Sequence, residues 1–195
     1  VYCLNGYFYG IWPPEQKSIF AYSKALSNMA SAHVKCYQLI HNKRAEMEKS
    51  REETRVSFAN HLRVFSPKNY HNLWHRFSAR FMEHMFQGAI TDAMMTGKCV
   101  FPVMRRGGME RGRYYDFIGI NYYSRSTVSG ISDGVAEGCD RNDLGWEIYH
   151  DGLIDLANLL SMEFGDEYPI YVTENGTCDN NDSFRSSFIS DHIKL

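Results

Sequence analysis

The sequence lacks most of what would place it in a special class. No apolar run approaches the ~20 residues that a membrane-spanning helix needs. Neither sign of charge dominates: 21 Lys and Arg against 23 Asp and Glu leave a formal net charge of -2. Nothing therefore points to nucleic acid or to an anionic membrane surface as a partner. Cysteine is sparse. The five residues, Cys3, Cys36, Cys99, Cys139 and Cys178, are odd in number and have no Cys-x-x-Cys spacing. That argues against a disulfide framework or a zinc cluster and fits free thiols in a reducing, cytoplasmic setting. There is no short-period repeat, no low-complexity segment and no signal-peptide pattern. No metal or organic cofactor is indicated.

What is present is an ordinary globular composition with many rings. Of 195 residues, 44% are hydrophobic, and 13 Tyr, 12 Phe and 3 Trp make up the aromatic set. Such rings suit stacking on sugars and also suit a large core.

Val1 to Pro14 combines Gly6 and Gly10 with many aromatics and the Pro13-Pro14 pair. This reads as a loop with special backbone angles. An opening so aromatic, with no polar lead-in, suggests a chain cut from a longer one. Ser18 is placed to cap a helix running to about Asn42. Its apolar stripe is Ile19, Tyr22, Leu26, Met29, His33, Tyr37 and Ile40, with His33 read as a core histidine. The mixed charges from Asn42 to Arg55 read as a solvated helix end and loop. Val56 to Pro67 alternates as a strand does, with Asn60 and His61 inside it. A long helix over Asn72–Gly97 would present Leu73, Phe77, Phe81, Met85 and Ala89 as its apolar face, with Gly97 as C-cap. The basic stretch Lys98 to Arg113 reads as an anion site or a solvated loop.

Tyr115 to Ser124 is the clearest strand, apolar on both faces from Phe117 to Ile120 and ending in Asn121-Tyr122-Tyr123. A Gly-rich loop through Gly138 follows. Asp151 is placed to cap a helix whose stripe is Leu153, Leu156, Ala157, Leu160 and Phe164. Tyr168 to Gly176 then reads as a short buried strand, cut off by Glu174-Asn175-Gly176. A helix begins near Phe184. Strand and helix alternate, which implies an α/β fold with parallel βαβ units. A carboxylate at the C-terminal end of a strand is where a (β/α) barrel carries its chemistry. A surface turn is the plainer reading of the same residues.

Tyr171-Val172-Thr173-Glu174-Asn175-Gly176 resembles the nucleophile signature of the family 1 glycoside hydrolases, the β-glucosidase family. Asp116 to Tyr123 resembles the family's sixth-strand segment, and Gly145-Trp146-Glu147-Ile148 its Gly-Trp-Glu-Ile segment. Asn5-Gly6-Tyr7 with Pro13-Pro14, Phe86-Gln87-Gly88, and Arg185 with His192 also fit, all in family order. The resemblance implies part of a (β/α)8 TIM barrel covering roughly strands five to seven, a single incomplete barrel portion over residues 1–195. It implies a retaining mechanism with Glu174 as nucleophile and Tyr123 as the donor that keeps it ionised. Asn121 would line the sugar pocket and Trp146 would offer a platform on the leaving-group side. The substrate would be a β-glucoside or an oligosaccharide.

Several expected parts are not in the sequence: the N-terminal four strands, the eighth strand and the acid/base glutamate. The acid/base glutamate belongs to an Asn-Glu-Pro motif that would precede Val1, so residues 1–195 alone should be inactive. Three readings stay open here: a β-glucosidase portion, a 6-phospho-β-glucosidase of the same family, and a non-catalytic part-barrel that binds a partner.

Overall fold

The structure, a computed structural model, describes residues 1–50 and 53–195. Arg51 and Glu52, part of the mixed-charge stretch, lie outside the described residues. The chain forms two compact units, Val1–Phe58 with Met85–Ile118, and Ala59–His84 with Gly119–Leu195.

The first unit is helical. Helix α1 spans Ile19–Glu46, and Ser18 Oγ accepts a hydrogen bond from Ala21 N at its start, as the sequence predicts. The buried stripe is Tyr22, Leu26, Ala30, Val34 and Tyr37, packed on Ala89, Ile90 and Ala93. Met29 and Ile40, expected on that stripe, are exposed. The small residues win these positions because they let two helices approach closely. Tyr22 is fully buried and satisfies its hydroxyl by donating to Met85 O at 2.6 Å. His33 is half-buried and bonded to Tyr114 O at 2.8 Å, a structural histidine. The Val1 to Pro14 stretch, expected as a loop, contains a π-helical segment at Leu4–Tyr9. In the basic stretch Arg105 pairs with Glu110 and donates to Met109 O, which fits a solvated loop.

The helix expected over Asn72–Gly97 is divided. Helix α2 spans Leu73–Glu83, a π-helical turn occupies His84–Gly88, and helix α3 spans Ala89–Thr96. Gly97 ends α3 in the left-handed region at φ 69, as expected. A π-helical turn breaks the 3.6-residue period on which the longer face was read, so Leu73, Phe77 and Phe81 form a row of their own on α2. That row is exposed, with Trp74, Phe77 and Phe81 stacked in succession. The residues α2 buries are Ser78 and Ala79.

The second unit is built on a sheet. Strand β1 (Ala59–Pro67) pairs in parallel with β2 (Ile118–Ser129), and β3 (Ser132–Gly134) folds back antiparallel on the end of β2. Strand β4 (Ile170–Asn175) also pairs with β2. Thr173 bonds Ile120 O and Asn175 bonds Tyr122 O, so β4 and β2 advance in the same direction. Helices α4 (Gly152–Phe164) and α5 (Arg185–Ile193) follow β2 and β4. This is the strand–helix alternation the sequence predicts.

Three local expectations change. Strand β2 runs past Ser124 to Ser129, through residues read as loop, because Ser124, Ser126 and Val128 continue the buried alternation. Strand β4 is not buried: Tyr171, Val172, Thr173 and Glu174 are exposed, since among the described strands only β2 pairs with it. Asp151 makes no cap bond, because its backbone is already helical whereas a capping residue is extended.

Candidate active site

Four of the sequence-predicted site residues lie on β2, on β4 and in the loop after the β2–β3 hairpin. Asn121 and Tyr123 are two apart on β2, so they share a face. Glu174 is the next-to-last residue of β4. The Tyr123 hydroxyl donates to Glu174 Oε2 at 2.5 Å, a charge-assisted bond of the short kind. That bond, more than the accompanying desolvation, pushes the Tyr123 phenol up to about 12. The phenol therefore keeps its proton through the physiological range and stays a donor.

Asn121 is buried, and its Oδ1 accepts from Thr173 Oγ1 at 2.5 Å. With that oxygen occupied, the Nδ2 donors of Asn121 are left over. Asn175 Nδ2 donates to Tyr122 O at 3.0 Å and fixes the last residue of β4 against β2. The signature Thr-Glu-Asn thus has two members that clamp the strand on either side of Glu174.

The register between β1 and β2 is broken at this point. His61 pairs with Asn121 and Leu62 with Tyr122, but Val64 pairs with Arg125. The extra residue is a bulge in β2 at Tyr123 and Ser124, a device that re-aims side chains beside functional sites. His61 and Tyr123 stack with ring centroids 5.4 Å apart. Burial, then the Arg63 charge, pushes His61 down to about 4, so the imidazole is neutral. Sequence reading singled out His61 only as a strand histidine, because pairing to Asn121 is set by register.

Trp146 meets Tyr123 edge to face at 6.4 Å, and the Arg63 guanidinium lies 5.7 Å from its ring centroid. Its backbone is held by Asn142: Oδ1 accepts from Trp146 N and Leu144 N, both at 3.0 Å, and Asn142 N donates to Trp146 O at 2.9 Å. Sequence reading passed over Asn142 and Arg63. An Asn four residues before the Trp in a glycine-containing turn is the signal for the first; the second has no local signal. A cleft beside these residues is lined by Tyr123, Leu144, Trp146, Gly176, Thr177 and Arg185. Arg185 braces its far wall by donating to Thr177 O at 2.7 Å and Asp179 O at 2.8 Å. Among the described residues, no three His, Cys, Asp or Glu side chains gather as a metal-binding group.

The geometry is an acidic side chain at the C-terminal end of a strand, one firm donor, a leftover amide and a ring-lined cleft. Comparisons with known proteins bear on the fold and the family. The beta-glycosidase from Pyrococcus horikoshii superposes with a TM-score of 0.77 at 26% identity, over 99% of this chain and 44% of that one. A beta-glucosidase from Exiguobacterium marinum shares the fold at TM-score 0.81 and 21% identity, over 98% of this chain and 48% of that one. The parallel strands and alternating helices are those of part of a (β/α)8 barrel. Among curated proteins, the beta-glucosidase-like SFR2 of Oryza sativa is 26% identical over 99% of this chain and 28% of its own length. The beta-galactosidase of Pyrococcus woesei is 27% identical over 96% of this chain and 42% of its length. The chain thus spans less than half the length of these relatives. The family model for glycosyl hydrolase family 1 matches residues 1–195, and the chain belongs to that family.

Proposed function

We propose that the complete protein hydrolyses terminal β-D-glycosidic bonds, β-glucosides first among them, by a retaining double displacement in which Glu174 is the nucleophile. Its carboxylate attacks the anomeric carbon while a second carboxyl protonates the departing oxygen. Water then releases the sugar from the glycosyl-enzyme, with the second carboxyl acting as base. In this reading the second group comes from an Asn-Glu-Pro segment on the N-terminal side of Val1. It would stand ~5–5.5 Å from Glu174, the separation of retaining enzymes. Residues 1–195 alone would not turn over.

The observation that carries the reading is the bond from Tyr123 to Glu174 at 2.5 Å. A donor that keeps its proton near neutrality holds one oxygen of Glu174 and leaves the other for attack. The Nδ2 donors of Asn121 suit a sugar hydroxyl, and Trp146 suits an apolar leaving group. The names of the relatives, beta-glucosidase-like, beta-galactosidase and 1,4-beta-D-glucan glucohydrolase, support a glycoside substrate.

The test is covalent. The full-length protein is incubated with a 2-deoxy-2-fluoro-β-glucosyl fluoride, digested and mapped. One sugar on Glu174 is the expected result. A label on a different carboxylate, or inversion at the anomeric carbon of a hydrolysed glucoside, overturns the assignment.

A further inference from the structure

We infer that Arg125 is a positioning residue for leaving-group selectivity: from behind the sheet it sets the pose of Trp146 by gripping Glu147. The inference rests on the function proposed above. His61 and Arg63 point to the face of β1 that carries the site, and Leu62 and Val64 point to the other. Because Arg125 pairs with Val64, its side chain leaves on the face opposite to Asn121 and Tyr123. No substrate atom on the Tyr123 side reaches it.

Glu147 is 2% exposed. A carboxylate so buried must be paired, and Arg125 meets it with both arms: Nε donates to Oε2 at 3.1 Å, and Nη2 donates to Oε1. The guanidinium carbon also lies over Tyr149, 3.8 Å from the ring centroid. Tyr149 is tied to β2 in turn, since its carbonyl accepts from the Tyr122 hydroxyl at 2.6 Å. The segment after Trp146 is therefore bolted to β2 from behind. The segment before it is held by Asn142. Trp146, between the two anchors, is turned toward Tyr123 and Arg63. A planar fork with two bonds and a stacked face fixes direction as well as distance, which an ammonium does less well.

The experiment compares leaving groups in the full-length protein. Arg125→Met should raise KM for an aryl β-glucoside by about tenfold, the scale of a slightly misplaced contact, with kcat nearly unchanged. Turnover of β-glucosyl fluoride, whose leaving group is too small to meet Trp146, should stay as in the wild type. Arg125→Lys should recover part of the aryl preference. If Arg125→Met does not fold, the double variant Arg125→Met with Glu147→Met leaves no buried charge unpaired and carries the same comparison. Parallel losses for both leaving groups, or no change in either, overturn the inference. Calorimetric titration with phenyl β-glucoside separates this from the catalytic reading. Weaker binding in the variant, in a protein that hydrolyses nothing, would remove the catalytic reading and leave Arg125 its role. Equal binding would remove the role.

Discussion

Asp116, in the first unit, and Glu174, in the second, are both acidic residues at the ends of strands, and the fold treats them in opposite ways. Asp116 stands two residues before β2, with its side chain 11% exposed. Its Oδ1 accepts from the Tyr37 hydroxyl at 2.8 Å. Its Oδ2 accepts from Val56 N at 2.9 Å and bonds His41 Nε2 at 2.7 Å. Burial alone would push this carboxyl up; the donors, Val56 N foremost, outweigh it and hold the group below its ordinary 3.8. Glu174 is exposed and meets one donor among the described residues, Tyr123. A carboxylate with donors on both oxygens ties α1 to the segment at Val56. One with a single bond and an open side suits the nucleophile proposed above. Placement at a strand end does not separate the two roles; the number of donors and the exposure do.

The sharpest way to break this contrast is to remove each carboxylate in the full-length protein. Glu174→Ala should lower glycoside turnover on the order of 10⁴-fold or more, with added azide restoring part of it by standing in for the lost carboxylate. Its melting temperature should hardly move. Asp116→Ala should do the reverse. It strands three donors in a poorly solvated place and should cost about 2–4 kcal/mol of stability, read by denaturant unfolding, while folded enzyme keeps its rate. A folded Glu174→Ala variant with an unchanged rate would end the comparison.

A smaller effect tests the donor. Tyr123→Phe removes a bond to a charged acceptor worth about 1.5–3 kcal/mol, so kcat/KM for an aryl glucoside should fall roughly 10- to 150-fold. The smallest effect is acidic. Asp116 has a lowered pKa, so its contribution is present above the unfolded carboxylate range and is lost as pH falls through its folded value. The stability gap between wild type and Asp116→Asn, followed by unfolding at successive pH values, should narrow below about pH 4. A gap that stays constant would mean that Asp116 binds no differently in the folded state.

Much of the architecture was legible because it rests on local rules. Ser18 caps α1, Gly97 ends α3 and the β2 segment is a strand, each for a reason held within a few residues. The misreadings came where a neighbour decided. Phe77 and Phe81 fit an apolar helix face, yet α2 turns Ser78 and Ala79 inward. Val172 fits a buried strand, yet among the described strands β4 pairs only with β2. Asn121, Tyr123, Trp146 and Glu174 could be singled out from motifs. Arg63 and Arg125 could not, since their partners are many residues away or fixed by the bulge in β2; Asn142, whose partners are two and four residues on, could have been.

From the linear order of residues alone came the alternation of strand and helix, the family and the identity of the acidic residue at the strand end. Those depend on periodicity and on short motifs, which survive without coordinates. The pairing of Tyr123 with Glu174, the stacking of His61 and the grip of Arg125 on Glu147 belong to the folded chain. A single inserted residue in β2 changes which side chains face each other, and only strand pairing across long stretches of sequence says where that insertion falls.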